Sequence, residues 1–470
     1  MQMDAQRGAQ RAAVSARICA ILAVAMIAAL VIGEVGKPHL PALEAFDWVA
    51  AVAAVLLAAI RIGHVQRLAR IFAVLAAIVA AAVLLVAPEA RPVVGRALMQ
   101  GTAFSAFLTA LGLIRAPVRA SKVIGLAAAW LFACPARMRS AAMTYGAQFL
   151  AVLFNLGVIA MMHDIARDHS DRARAEGRSG VDAGAVTLVV ERGALLATIW
   201  NPIGVGFAIV TAAIPALDPA LFLMLSFVVA MVVSAGSLVF APRDDQADPE
   251  SRAPEGGARA LLIVLAVVAG LIAVTLVLHR LLGVGFLTAA CIVLPLLSVL
   301  WSRVEPSVRG PKGGALDGLA QATASMASES TIFLAATMIG AGASLALGAI
   351  GIEALISGGM IPPVAVVLGC LVLVPLAGAI MIPHSIVMLL VVQLFGAGPV
   401  GQAHPQSLAL ALCLAWAFAI ATSPISAMSI VTGRLTGIGP TGIALRVNRA
   451  FTLCGLAASA LIVLVVYLLE

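Results

Sequence analysis

Residues 187–215 read TLVVERGALLATIWNPIGVGFAIVTAAIP, and residues 408–435 read LALALCLAWAFAIATSPISAMSIVTGRL. Both runs are apolar, long and interrupted in mid-course. A helix needs about 20 apolar residues to cross the hydrocarbon core of a bilayer, and each run meets that length. The first holds Asn201, Pro202 and Gly204, and the second holds Ser423, Pro424 and Ser426. A proline inside a helix removes one backbone hydrogen bond and crowds the preceding turn. In lipid an unsatisfied backbone group costs several kcal/mol, so such breaks survive where protein or a watery cavity takes up the freed groups. Paired discontinuous helices in corresponding halves of a chain are the best sequence pointer to a transporter binding site. The competing reading of each proline is a kink that shapes helix packing alone.

The rest of the chain fits a membrane setting. Of 470 residues 62% are hydrophobic and only 11% are charged, against about 25% charged in an ordinary soluble domain. A soluble enzyme, a secreted disulfide scaffold and a disordered chain are excluded at this step. Outer-membrane barrels alternate polar and apolar residues along short strands, whereas these apolar blocks are long and unbroken. The expected class is an all-α polytopic membrane protein with about 11 to 14 transmembrane segments. The net charge of +7 reads as basic cytoplasmic loops. With five Trp and two Tyr there is no aromatic platform for bases, so nucleic acid is not an expected partner. Cys19, Cys134, Cys291, Cys370, Cys413 and Cys454 show no CxxC spacing and read as packing thiols, with neither a zinc site nor a disulfide framework.

Arg7, Arg11 and Arg17 precede the apolar run Ile18 to Ile32, which reads as a first transmembrane helix with a cytoplasmic N-terminus. The expected setting is a bacterial-type inner (plasma) membrane crossed many times, with the lipid bilayer as partner. The polar stretches are 163–184, the Pro-, Gly- and charge-rich 242–258, and 302–317. The organisation that follows has N-terminal helices over 1–94, a first transport repeat over 95–241 and a linker over 242–257. Intervening helices over 258–314 and a second repeat over 315–470 complete it.

Two similarities suggest the duplication. GTAFSAFLTALGLI (101–114) lies against ASESTIFLAATMIG (327–340), and NPIGVGFAIV (201–210) against SPISAMSIVT (423–432). The clusters at 100–105, with Thr102, and at 325–331, with Ser328, Glu329, Ser330 and Thr331, read either as tips of re-entrant hairpins or as plain helix caps. Ionisable residues in apolar segments are functional suspects by default. Glu191, Glu329 and His384 are the ion-coupling candidates, with Na+ or H+ as the coupling ion and no other cofactor expected. His384 reads equally as a neutral packing residue. Arg192 reads as a group at the membrane surface or as an attractor of anions, and Asn155 as polar glue inside a single helix over 141–162. No phosphate loop, HExxH pattern or GxSxG elbow is present, and no metal site is expected.

A half-helix starting at Pro202 or Pro424 aims free N–H groups and a partial positive charge at its break, which favours an anionic group. Asn201, Ser423 and Ser426 add neutral donors and acceptors. On these two halves, the stretches 100–105 and 325–331, and the breaks at 201–204 and 423–426, the chain resembles the ion transporter superfamily of secondary carriers. That group includes divalent anion:sodium symporters and arsenite antiporter relatives. The resemblance implies inverted repeats, hairpins meeting at the midplane, elevator-type movement and a homodimer. The anion symporters carry Ser-Asn-Thr signatures at the tips, where this chain has Ser328-Glu329-Ser330-Thr331.

The expected function is a secondary active transporter of a small anionic organic solute, driven by a proton or sodium gradient, and not an enzyme. Asn201, Pro202, Gly204, Ser423, Pro424 and Ser426 would line the site, helped by Thr102, Ser328, Ser330 and Thr331. The alternative is an integral-membrane enzyme acting on a lipid-linked glycan, a polymerase or ligase, for which the 163–184 loop is the candidate.

Overall fold

A computed structural model describes residues 2–177, 180–242, 253–305, 315–349, 351 and 360–470. Most of the expected linker 242–257 and of the polar loop 302–317 lies outside the described residues. Among the described residues all regular structure is helical, and 10 helices are long and apolar enough to cross a membrane. The protein is an all-α polytopic membrane protein.

In chain order the helices are α1 (Gln2–Gly36), α2 (Ala45–Arg61), α3 (Arg67–Val86), α4 (Arg91–Ala120), α5 (Lys122–Phe132), α6 (Ala136–Phe154) and α7 (Gly157–Ala175). They continue with α8 (Ala183–Ala197), α9 (Val205–Ala213), α10 (Pro219–Ser237), α11 (Gly257–Leu282), α12 (Phe286–Val304), α13 (Ala315–Ser325) and α14 (Ala327–Ala349). After them come α15 (Pro363–Ala379), α16 (His384–Phe395), α17 (Pro399–Ala403), α18 (Pro405–Thr422), α19 (Ala427–Thr436) and, beyond short helical turns at Pro440–Gly442 and Ile443–Val447, α20 (Arg449–Leu469).

The chain divides into two compact units, Met1–Ala120 with Ala273–Ile350, and Ser121–Ile272 with Gly351–Glu470. Each unit takes one segment from each half of the chain. The stretches 95–241 and 315–470 therefore both divide, giving α4, α13 and α14 to the first unit and their remaining helices to the second.

In the first unit α4 and α14 pack antiparallel. Phe104 faces Phe333 with ring centroids 5.5 Å apart, and the Ser105 and Ser330 hydroxyls share a hydrogen bond. Gly101 makes the approach possible, since a Cβ there would stand 3.1 Å from the Leu334 Cα. Small residues at such contacts let helix backbones come close in lipid. The flanking contacts mirror one another, with α3 against α14 and α12 against α4.

This geometry corrects the expectation of re-entrant tips at 100–105 and 325–331. Residues 100–105 lie inside the 30-residue α4. Their hydroxyls are satisfied without a turn, Thr102 donating to the Leu98 carbonyl at 2.8 Å within the helix and Ser105 pairing with Ser330 across the interface. At 325–331 only Met326 separates α13 from α14. The ladder runs through it, Met326 N donating to Ala322 O and Ser330 N donating to Met326 O at 3.2 and 2.8 Å.

The second unit carries the mirror pattern further. Helix α6 packs on α8 as α15 packs on α18. Likewise α7 meets α8 as α16 meets α18, and α8 meets α10 as α18 meets α20. Its sharp turns come in a pair the sequence did not reveal. Asn155 (φ 50°) joins α6 to α7, and Met381 (φ 63°) lies between α15 and α16. They are the two non-glycine residues with positive φ among the described residues. Asn155 thus ends a helix rather than gluing one, and Asn is among the residues that tolerate positive φ. The apolar run 361–396, long enough for more than one element, holds both α15 and α16.

The polar stretch 163–184 is not an open loop in its described part. Through Ala175 it continues α7, which packs against α5 and α8. His163 is buried there with Nδ1 2.9 Å from Thr187 Oγ1.

Two glycine substitutions of opposite expected sign test the α4–α14 approach. Gly125 on α5 has nothing within 4 Å of an added Cβ, so Gly125→Ala should stabilise by up to about 1 kcal/mol through helix propensity. Gly101→Ala should instead cost about 1–3 kcal/mol by overpacking. Thermal denaturation in detergent reads both.

Candidate functional site

Both interruptions expected from sequence are present, and both lie in the second unit. Helix α8 ends at Ala197, a non-helical stretch over 198–204 follows, and α9 starts at Val205. Helix α18 ends at Thr422 and α19 starts at Ala427. Ser423 is extended (ψ 114°), the conformation that a following proline imposes. The halves cross over: α8 packs on α19 while α9 packs on α18. The breaks therefore meet where the two discontinuous helices cross, running in opposite directions. The short helices reinforce the crossing, α16 reaching α9 and α7 reaching α19.

At the first break the backbone is tied locally. Asn201 Oδ1 accepts from Ile203 N at 3.1 Å, and Asn201 O accepts from Gly204 N at 2.8 Å. Asn201, Pro202 and Ile203 are buried. Gly204 precedes α9 without any side-chain cap, so the positive end of that helix faces the break. One residue on from the start of α9, Gly206 lies against the indole of Trp416, 3.2 Å from where a Cβ would stand. The same indole meets His384 edge-on, with centroids 4.9 Å apart. His384 opens α16 and so stands beside the crossing.

At the second break Ser426 caps α19, accepting from Ser429 N at 3.1 Å and donating to Ile420 O at 2.8 Å. Thr422 Oγ1 donates to Pro375 O at 3.0 Å, tying the break to the last turns of α15. Pro424 is buried, while Ile425 is exposed. Ser423 is the exception among these groups. It is 0% exposed, and its hydroxyl has no partner. Thr432 on α19 is in the same state. A buried polar atom left unpaired costs about 1–3 kcal/mol, and a bound group that pairs with it recovers that cost. No charged side chain occurs in 198–204 or 423–426. The field at the crossing comes from helix ends, positive at the starts of α9 and α19 and negative at the ends of α8 and α18.

Glu191 and Arg192 are both inside the protein. Glu191 is 0% and Arg192 4% exposed, which corrects the surface reading of Arg192. Asn448, missed in the sequence, bridges them. Its amide nitrogen reaches both Glu191 carboxylate oxygens at 3.4 Å, and its carbonyl oxygen accepts from Arg192 Nε at 3.4 Å. Arg192 also donates to the Phe240 carbonyl and lies over the Phe451 ring, 5.2 Å from its centroid. The network is built because a buried charge is tolerated only when paired and hydrogen-bonded.

The remaining candidates belong to the first unit. Thr102 and Thr331 bond to carbonyls of their own helices, and Ser330 pairs with Ser105. Ser328 Oγ accepts from Gln66 N at 3.1 Å, beside the start of α3. Glu329 is exposed in the first turn of α14. All four hydroxyls thus take part in packing. The six cysteines are free, four of them buried.

No known family model matches the chain, and no curated protein matches it either.

Asn448→Leu leaves the Glu191 carboxylate without its amide donor, and hydrogen bonds to charged groups carry about 1.5–3 kcal/mol. A loss of that size in thermal stability is expected. Glu191→Gln, which removes the charge and keeps a partner for Asn448, should cost less.

Proposed function

We propose that this protein is a secondary active transporter that carries a small anionic organic solute by alternating access, driven by a proton or sodium gradient. The observation that carries the reading is the crossing of two discontinuous, oppositely running helices around an unpartnered buried hydroxyl. The start of α9, which carries no side-chain cap, presents its positive end to an anion. The ends of α8 and α18 offer carbonyls to a cation, so an anion and its coupling ion fit the same crossing. Asn201, Gly204, Ser423 and Ser426 line the site, with Pro202 and Pro424 holding the breaks open. Glu191 and His384 are the coupling candidates within this unit. Glu329, exposed in the first unit, and the hydroxyls of Thr102, Ser328, Ser330 and Thr331 are left to packing in this reading. The protein acts in a bacterial-type inner membrane, with a cytoplasmic N-terminus and as a homodimer.

The reading of an enzyme on a lipid-linked glycan needs a free polar loop, and residues 163–175 are helical instead. Nothing else in the site favours it.

Coupling requires each ligand to favour one conformational state over another. In proteoliposomes, uptake of a candidate organic anion should follow an imposed proton or sodium gradient. Uptake of all candidates that ignores both gradients would contradict coupled transport. Ser423→Ala combined with Pro424→Ala should abolish uptake while leaving folded protein in the membrane. Wild-type rates in that double variant would remove the site assignment.

A further inference from the structure

A cleft of about 380 Å³ opens in the second unit between α6, α10 and α11. Its floor is the indole of Trp200, the residue just before Asn201 at the first break. Phe149 and Phe227 stand edge-on to that indole, with centroids 5.5 and 4.9 Å away. The opposite wall is a stripe on α11, Leu265, Val268, Ala269 and Ile272, the spacing of one helix face.

The lining says what the cleft takes. Sites of this size for polar solutes place a few polar groups to orient the ligand, and every residue lining this one is apolar or aromatic. The one polar atom of its floor is turned away and satisfied, Trp200 Nε1 donating to Gln148 Oε1 at 3.0 Å. Gln148 is itself fixed by donating to Ser234 Oγ at 2.8 Å. A cavity of about 150 Å³ with such a lining already takes a benzene, and this one is more than twice as large. Both α10 and α11 are long and apolar enough to span the membrane, so the medium at the mouth is hydrocarbon.

We propose that this cleft holds one acyl chain of a membrane lipid, laid against Trp200 at the root of the first break. The surrounding bilayer is as apolar as the cleft, so retention rests on packing against the three rings rather than on escape from water. The occupied cleft buttresses the turn that leads into Asn201. The assignment is independent of what the break transports.

Trp200 is 2% exposed, so only a chain seated in the cleft brings a quencher into contact with it. The test uses a variant in which Trp48, Trp130, Trp301 and Trp416 are replaced by Phe, reconstituted in phosphatidylcholine brominated in mid-chain. Trp200 emission is expected to fall at least twofold relative to unbrominated lipid, and Ala269→Phe, which fills the cleft, should restore most of it. If the fourfold variant does not fold, the difference between wild type and Trp200→Phe yields the same quantity. Emission that the brominated chains leave unchanged, or quenching that Ala269→Phe does not relieve, would overturn the proposal.

Discussion

In hydrocarbon every backbone N–H and C=O must find its partner within the protein, and this fold is organised by that requirement and by its two exceptions. Long helices meet it with little help: in α4 the threonine hydroxyls fold back onto their own helix, and the Leu113 carbonyl freed by Pro117 accepts from Ser298 Oγ at 3.0 Å. The stretches around Asn201 and Ser423 do not meet it. Their neighbours make up the shortfall: the Asn201 side chain bonds the backbone beyond Pro202, and Ser426 closes the start of α19. The breaks persist because helices from both halves of the chain enclose them.

The mirrored contacts give the breaks their meaning. A single proline kink needs no counterpart. Here α8 and α9 cross α18 and α19 in opposite directions, and the helices around each pair repeat the same arrangement. Inverted copies of one element set bring like helix ends to one place. Fixed dipoles then stand in for charged side chains, and a neutral crossing escapes the desolvation cost that buried charges carry. Glu191 and Arg192 sit about two turns up α8 from the break, held by Asn448, with Arg192 over the Phe451 ring.

Much of this was legible in the sequence, and the parts that were not share a cause. The membrane class followed from charge content, and the two breaks from Pro202 and Pro424 in the company of Asn201, Gly204, Ser423 and Ser426; proline alone does not break a helix here, since Pro117, Pro295 and Pro375 lie inside α4, α12 and α15. The turns at Asn155 and Met381 were not recognised, since no proline or glycine stands at either position itself. Hydroxyl clusters misled in the other direction. Thr102 and Ser330 resemble a polar tip in one dimension, yet within helices they bond to neighbouring carbonyls or to a hydroxyl across a tight interface. Asn448 carried no signal at all, because its role depends on two residues more than 250 positions away in the chain.

The central claim is that the crossing is a place a solute reaches from both faces of the membrane. The most direct measurement is the reactivity of Ser423→Cys, in a chain whose six native cysteines have been replaced, toward a small membrane-impermeant thiol reagent. In sealed vesicles the account predicts labelling when the reagent is added from either side, slowed by a bound anion. A folded Ser423→Cys protein that stays unreactive from both sides, while Ile425→Cys at the neighbouring exposed position reacts, would show a closed packing defect and contradict the account.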